Sequence, residues 1–155
     1  MVVVNCTSLS ITTALKESVV SFPTDGLLVE IKYSRRGTRR FISGTYYRRT
    51  PDRESGRLIR IRINRANCYP VTVSFKTSEY FTNRDARGRT LIYQRLRSEK
   101  FYTPEDLVLA IFLHEFSHYL DHIEGRNGRY KQTKADKFAI AQLERLGVIE
   151  ARVPS

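Results

Sequence analysis

Residues 103–122 read TPEDLVLAIFLHEFSHYLDH, and the reading of this stretch decides the fold. Thr103 can cap the first free N–H groups of a helix, Pro104 suits the first helical position, and Glu105 and Asp106 complement the positive end of the helix dipole. A helix therefore starts here. The next residues, Leu107 to Leu113, are apolar on every face, so the helix is expected to be enclosed by neighbours rather than to lie on the surface. It then runs directly into His114-Glu115-Phe116-Ser117-His118. A polar pentad at the end of a buried helix costs free energy unless its polar groups find partners.

Two histidines four residues apart stand one turn apart on one face, where their ring nitrogens can converge on one tetrahedral metal ion. Glu115 is rotated off that face by about 100°, close enough to reach a metal-bound water without ligating the ion. Zinc lowers the pKa of such a water towards about 7, and the carboxylate can take its proton and pass it to a leaving amine. The pattern points to peptide-bond hydrolysis with one Zn2+ per chain. The plain alternative is two core histidines beside a surface glutamate. Against it stand the capped, buried helix and the fact that all 3 histidines of the chain, His114, His118 and His122, fall in this one segment.

A third protein ligand is still needed, with water in the fourth place. His122 continues the spacing, yet a straight helix carries it about 12 Å along the axis from His114. The first glycine after the motif, Gly125, comes too late to bring it back. His122 is expected at the helix end or behind the ligands. Beyond Gly125-Arg126-Asn127-Gly128, residues 131–146 read as a second helix with an apolar stripe of Ala135, Phe138, Ala139, Leu143 and Leu146. Asp136 borders that stripe, and a helix hairpin folds it over His114 and His118, which makes it the expected third ligand. Its other reading is a solvated charge among Lys131, Lys134 and Lys137. Glu144 and Glu150 are the fallback acids, and Gln132, one turn before Asp136, is an expected neighbour of the ligands. Tyr119 and Tyr130 are candidates to stabilise the oxyanion.

The chain has 155 residues, 41% of them hydrophobic, which fits one folded domain over 1–155 and excludes a wholly disordered chain. The segments LLVEIKYS, RRFISGTYYRR and RLIRIRINR alternate apolar and charged residues, so each reads as a strand with one buried face. Strands are also expected around 69–76 and 90–94, on either side of the polar stretch TSEYFTNRDARGR. The expected architecture is α+β: an N-terminal helix over 8–21, a basic, twisted and mostly antiparallel sheet over 27–95, and the zinc-site helices over 103–147. Short connections such as Arg35–Thr38 suggest that consecutive strands are neighbours. Cys6 and Cys68 are too few for a disulfide framework or a thiolate zinc site and are expected to be reduced and buried. No apolar run is long enough to span a bilayer, and the opening lacks the pattern of a secretory signal, so a cytoplasmic protein is the expectation.

The formal net charge is +11. Residues 32–100 carry 19 basic and 5 acidic side chains, a balance of 19 − 5 = +14, so the sheet region holds the whole surplus. Arginines Arg35, Arg36, Arg39 and Arg40, with Tyr46, Tyr47, Tyr80 and Tyr93 interleaved further along, suggest contact with nucleic acid, since guanidinium groups pair with phosphates and aromatic rings stack on bases. Solubility alone is the competing reading. A nucleic-acid-binding module with a structural zinc or a lost peptidase activity is the rival function, though a structural site has no need of Glu115.

The segment 111–139, IFLHEFSHYLDHIEGRNGRYKQTKADKFA, resembles the zincin metallopeptidases that take an acidic third ligand from a downstream helix. HEFSHYLD followed by GRNG is similar to the MtfA type, in which an HEFxHxLD helix precedes a glycine-asparagine turn. KADKFA is similar to the A-[DN]-x-F-A helix of the ImmA/IrrE peptidases, which cleave DNA-bound repressors. The resemblance implies that His114 and His118 ligate zinc and that Glu115 is the general base. Where the ImmA/IrrE pattern carries a glutamate three residues before the alanine, this chain has Gln132, so Asp136 is the acid nearest the expected place. SprT-like peptidases, which digest proteins crosslinked to DNA, are a more distant likeness, because their third ligand is a histidine close after the motif. The implied function is a zinc-dependent metallopeptidase acting on regulatory or nucleic-acid-associated proteins.

Overall fold

The computed structural model describes residues 1–49, 56–126 and 131–152. The elements are β1 (Val2–Asn5), α1 (Thr12–Ser18), β2 (Leu27–Tyr33), β3 (Ile42–Tyr47), β4 (Arg57–Ile63), β5 (Val71–Arg84), β6 (Thr90–Phe101), α2 (Pro104–Ile123) and α3 (Gln132–Arg145). Strands β1 to β4 form a mixed sheet in the order β1-β2-β4-β3, and β5 and β6 form a separate hairpin. This is an α+β fold in which α2 packs on β3 and β4 while α3 packs on α2 and β5.

The alternation of the strand sequences sets which residues face α2. Val29 and Ile31 of β2 and Ile59, Ile61 and Ile63 of β4 are buried, whereas Glu30, Lys32, Arg60 and Arg62 point to the other face. Strand order departs from the expected succession of antiparallel neighbours. β4 enters between β2 and β3, parallel to β2 with Ile31 opposite Ile61 and antiparallel to β3 with Gly44 opposite Ile61. β1 adds a further parallel pair with β2. The physical reason lies in the apolar faces: β2 and β4 bury the most aliphatic surface and take the centre, while β3, with Gly44 and a lesser buried face, takes the edge.

The expected helix over 8–21 is also corrected. Only Thr12–Ser18 is α-helical, and a strand precedes it. Asn5 Nδ2 donates to Leu9 O at 2.7 Å, Asn5 Oδ1 accepts from Thr7 N at 2.9 Å, and Thr7 Oγ1 accepts from Leu9 N at 3.2 Å. These bonds from side chain to backbone hold the chain in a turn and compete with helix formation before Thr12. Cys6 and Cys68 are free but exposed, contrary to expectation, because both fall in connections outside the strands.

The polar stretch between the last two strands is itself mostly strand. β5 runs to Arg84, and the turn is closed by Asp85 Oδ1, which accepts from the N–H groups of Arg87 and Arg89 at 2.9 Å each. At its base the hairpin buries Val71, Phe75 and Phe101 in the core. Thr103 caps α2 by accepting from Asp106 N at 3.1 Å, and Leu107 to Leu113 are enclosed as the all-round apolar pattern requires, apart from the half-exposed Ile111. Beyond α2 the chain turns at Gly125, whose φ of +69° lies in the left-handed region that glycine tolerates. Among the described residues no helix is long and apolar enough to cross a membrane.

Candidate metal centre

The C-terminal half of α2 presents His114, Glu115 and His118 between the edge strand β3 and helix α3. β3 can approach α2 closely only because residue 44 is glycine. A Cβ there would stand 2.5 Å from Ile111 Cγ2 and 3.1 Å from Glu115 Cγ. β3 therefore lies directly against the helix at Glu115, and among the described residues no strand pairs with its far side.

The rings of His114 and His118 are 5.1 Å apart and inclined at 78°. His114 Nδ1 is hydrogen-bonded to Asp136 Oδ1 at 2.6 Å, and Asp136 Oδ2 accepts from the backbone N–H of Lys76 at 2.7 Å. Thus α3 brings Asp136 to the histidines, as the hairpin reading anticipated, but its carboxylate grips the back of His114 and a backbone amide of β5. That grip fixes the ring and leaves Nε2 turned towards Glu115, whose Oε1 is 4.0 Å away. Gln132, one turn earlier on α3, lies beside both imidazoles. Among the described residues no group of three or more His, Cys, Asp or Glu side chains is arranged as a metal site. The side chains that do gather are two imidazoles, a ligand type that suits zinc, with the Gln132 amide and the Glu115 carboxylate beside them.

Electrostatics separates the two rings. Burial disfavours charge on His114, but the hydrogen bond to Asp136 and the nearby Glu115 carboxylate outweigh it, and its pKa lies above the usual value. Burial, reinforced by His114, lowers the pKa of His118 to about 4, so that ring is neutral near pH 7, the form that ligates metals. Burial raises the pKa of Glu115, and His114 and the Tyr46 backbone N–H, which donates to its carboxylate, offset part of that rise.

The remaining sequence candidates lie elsewhere. His122 faces Tyr46, whose hydroxyl is 2.6 Å from Nδ1, one turn past His118. Tyr119 is fully buried and donates to Asp25 O at 2.9 Å, which takes its hydroxyl away from the centre. Tyr130 lies outside the described residues. Glu144 is bound to Arg97 at 2.5 Å, and Glu150 is exposed. Arg35, Arg36, Arg39 and Arg40 are on the connection between β2 and β3, where Arg35 and Arg40 join Lys32 and Arg62 around a cavity of about 590 Å3. The aromatic residues read beside them divide: Tyr46 is core, Tyr47 lies under Arg60, and Tyr80 and Tyr93 project from the hairpin.

Sequence reasoning missed three participants: the N–H groups of Lys76 and Tyr46, which have no side-chain signature, and Gly44. A lone glycine in an alternating strand is a sign of close backbone approach and was the one available signal. No family model matches the chain, and neither a curated protein nor a solved structure does.

Proposed function

We propose that this protein is a zinc-dependent peptidase of the HExxH type. The observation that carries the proposal is the position of Glu115: its carboxylate is tied to the N–H of Tyr46 on the edge strand β3, beside two imidazoles on the same helix. A peptide that adds to that edge as a further strand is led past Glu115. His114 and His118 would hold the ion, and Gln132 is the third donor in this reading. Asp136 orients His114 through Nδ1, as acidic partners of metal-ligating histidines do. When bound, the ion polarises the scissile carbonyl and acidifies a water. Glu115 takes the proton from the attacking water at its carboxylate and delivers it to the leaving amine. Its enclosure, which raises its affinity for a proton, suits that relay.

The test combines metal analysis with peptide cleavage. The purified protein should hold one zinc per chain. Glu115→Gln should keep the metal yet lose about 10²-fold or more in hydrolysis, the scale of a general base. Absence of metal binding, or unchanged turnover in Glu115→Gln, would overturn the reading. Gln132→Ala should lose zinc while Gln132→Glu should bind it more tightly; indifference to both would remove Gln132 from the ligand set.

A further inference from the structure

The outer half of the β5–β6 hairpin leaves the core behind. After the register shift between Lys76 and Tyr80, the strands pair Tyr80 with Gln94, Phe81 with Tyr93, Thr82 with Ile92 and Asn83 with Leu91. Directly opposed residues share a face, so Phe81, Tyr93 and Leu91 stand on one side of the ribbon and Tyr80 and Ile92 on the other. Both sides are in water: Tyr80 is 62% exposed and Ile92 71% on one, and Phe81 44% and Tyr93 42% on the other. A ribbon with large apolar side chains on both faces gains nothing from the fold by displaying them. Clustered exposure of this kind marks a binding surface.

The chemistry of the arm selects the occupant. Phe81 and Tyr93 are stacked, with centroids 5.3 Å apart and planes 20° from parallel, and the Arg95 guanidinium lies 5.9 Å from the centre of Phe81. Every cation from Tyr80 to Arg95 is an arginine: Arg84, Arg87, Arg89 and Arg95. Asp85 holds Arg89 at 2.8 Å and Glu79 holds Arg95 at 3.4 Å. Among the described residues Arg84 and Arg87, at the tip, make no ion pair. Flat rings interleaved with planar guanidinium groups match a chain of flat bases joined by phosphates. A duplex hides the faces of its bases, whereas a single strand offers them. The charge of +11 on the whole protein favours the same class of partner.

We infer that the β5–β6 arm binds single-stranded nucleic acid, with Tyr80, Phe81 and Tyr93 stacking on bases and Arg84 and Arg87 pairing with phosphates. The contact lies on the arm and not on the Arg35–Arg40 connection, beside which Phe41 is exposed but, among the described residues, is not stacked on a second ring as Phe81 is on Tyr93. It does not depend on Glu115 or on metal, so it stands or falls apart from the peptidase reading.

The experiment uses the whole chain and a short fluorescent oligothymidylate strand, with the matching duplex as competitor. The single strand should bind at low salt and outcompete the duplex. Tyr80→Ser with Tyr93→Ser should cost about tenfold or more in affinity with little change in salt dependence, since stacking carries that loss. Arg84→Ser with Arg87→Ser should lower the affinity and reduce the slope of log K against log salt by about 0.7 per lost phosphate contact. The chain contains no tryptophan, so Tyr80→Trp supplies a single reporter whose emission should be quenched as the strand binds. No binding, duplex preferred over single strand, an unquenched tryptophan in a bound complex, or binding lost only on changing Arg35, Arg36, Arg39 and Arg40 would each overturn the inference. An unchanged midpoint of denaturant unfolding in the arm variants would show that folding is intact.

Discussion

Helix α2 and the outer half of the β5–β6 hairpin are both rich in large apolar residues, yet they treat them oppositely. α2 encloses Phe112, Leu113 and Phe116 completely, while the hairpin holds Tyr80, Ile92 and Leu96 in solvent. The helix is surrounded by the sheet on one side and α3 on another; among the described residues no second sheet or helix layer covers the hairpin beyond Gln94, whose Nε2 donates to Thr133 Oγ1 of α3 at 2.8 Å. Apolar content therefore reports burial only where the topology supplies a second layer. In the helix it holds the polar groups at Glu115 in position, and in the arm it is surface.

The contrast can be broken by substitution. Phe116→Ala should destabilise the protein by about 3–5 kcal/mol, the usual cost of deleting a buried aromatic side chain, measured by denaturant unfolding. Gly44→Ala should cost about 1–3 kcal/mol, because the added methyl presses on Ile111 and Glu115 and forces β3 away from α2. That loss should come with reduced peptide cleavage, and a variant of undiminished stability and activity would show that the close approach is dispensable. Asp136→Asn leaves the packing nearly unchanged but weakens the hold on His114; zinc affinity should fall about 10–100-fold, read by competition with a chelator. The smallest effect belongs to the arm. Ile92→Ser should shift unfolding by less than about 0.5 kcal/mol, as expected of a surface site. A cost approaching that of Phe116→Ala would mean that the arm is packed against something in the free protein.

Much of α2 was legible because its signals are local: a capping threonine, a proline at the first position, an apolar run and histidines at one-turn spacing. The same is true of α3 and of the inward residues of β2 and β4. Strand order was not legible, since alternation tells which face a residue takes and says nothing of its neighbour. Nor was the short N-terminal helix, which is cut back by hydrogen bonds of Asn5 and Thr7 that an apolar count does not register. TSEYFTNRDARGR looks like a loop by composition, but ladder bonds belong to the backbone and formed there regardless. At the centre, the convergence of α2 and α3 was anticipated, while the bonds that Asp136 makes, to His114 Nδ1 and the Lys76 N–H, depended on helix phase and on a backbone amide without a side-chain signature.

Asp136 joins three elements: it sits on α3, holds a ring of α2 and accepts a hydrogen bond from an amide N–H of β5. The third of these connections is indifferent to the identity of residue 76, since any amino acid except proline carries the proton that Asp136 needs. Position 76 should therefore accept nearly every side chain in a substitution survey and fail at one, Lys76→Pro, with the loss appearing at His114 on another element.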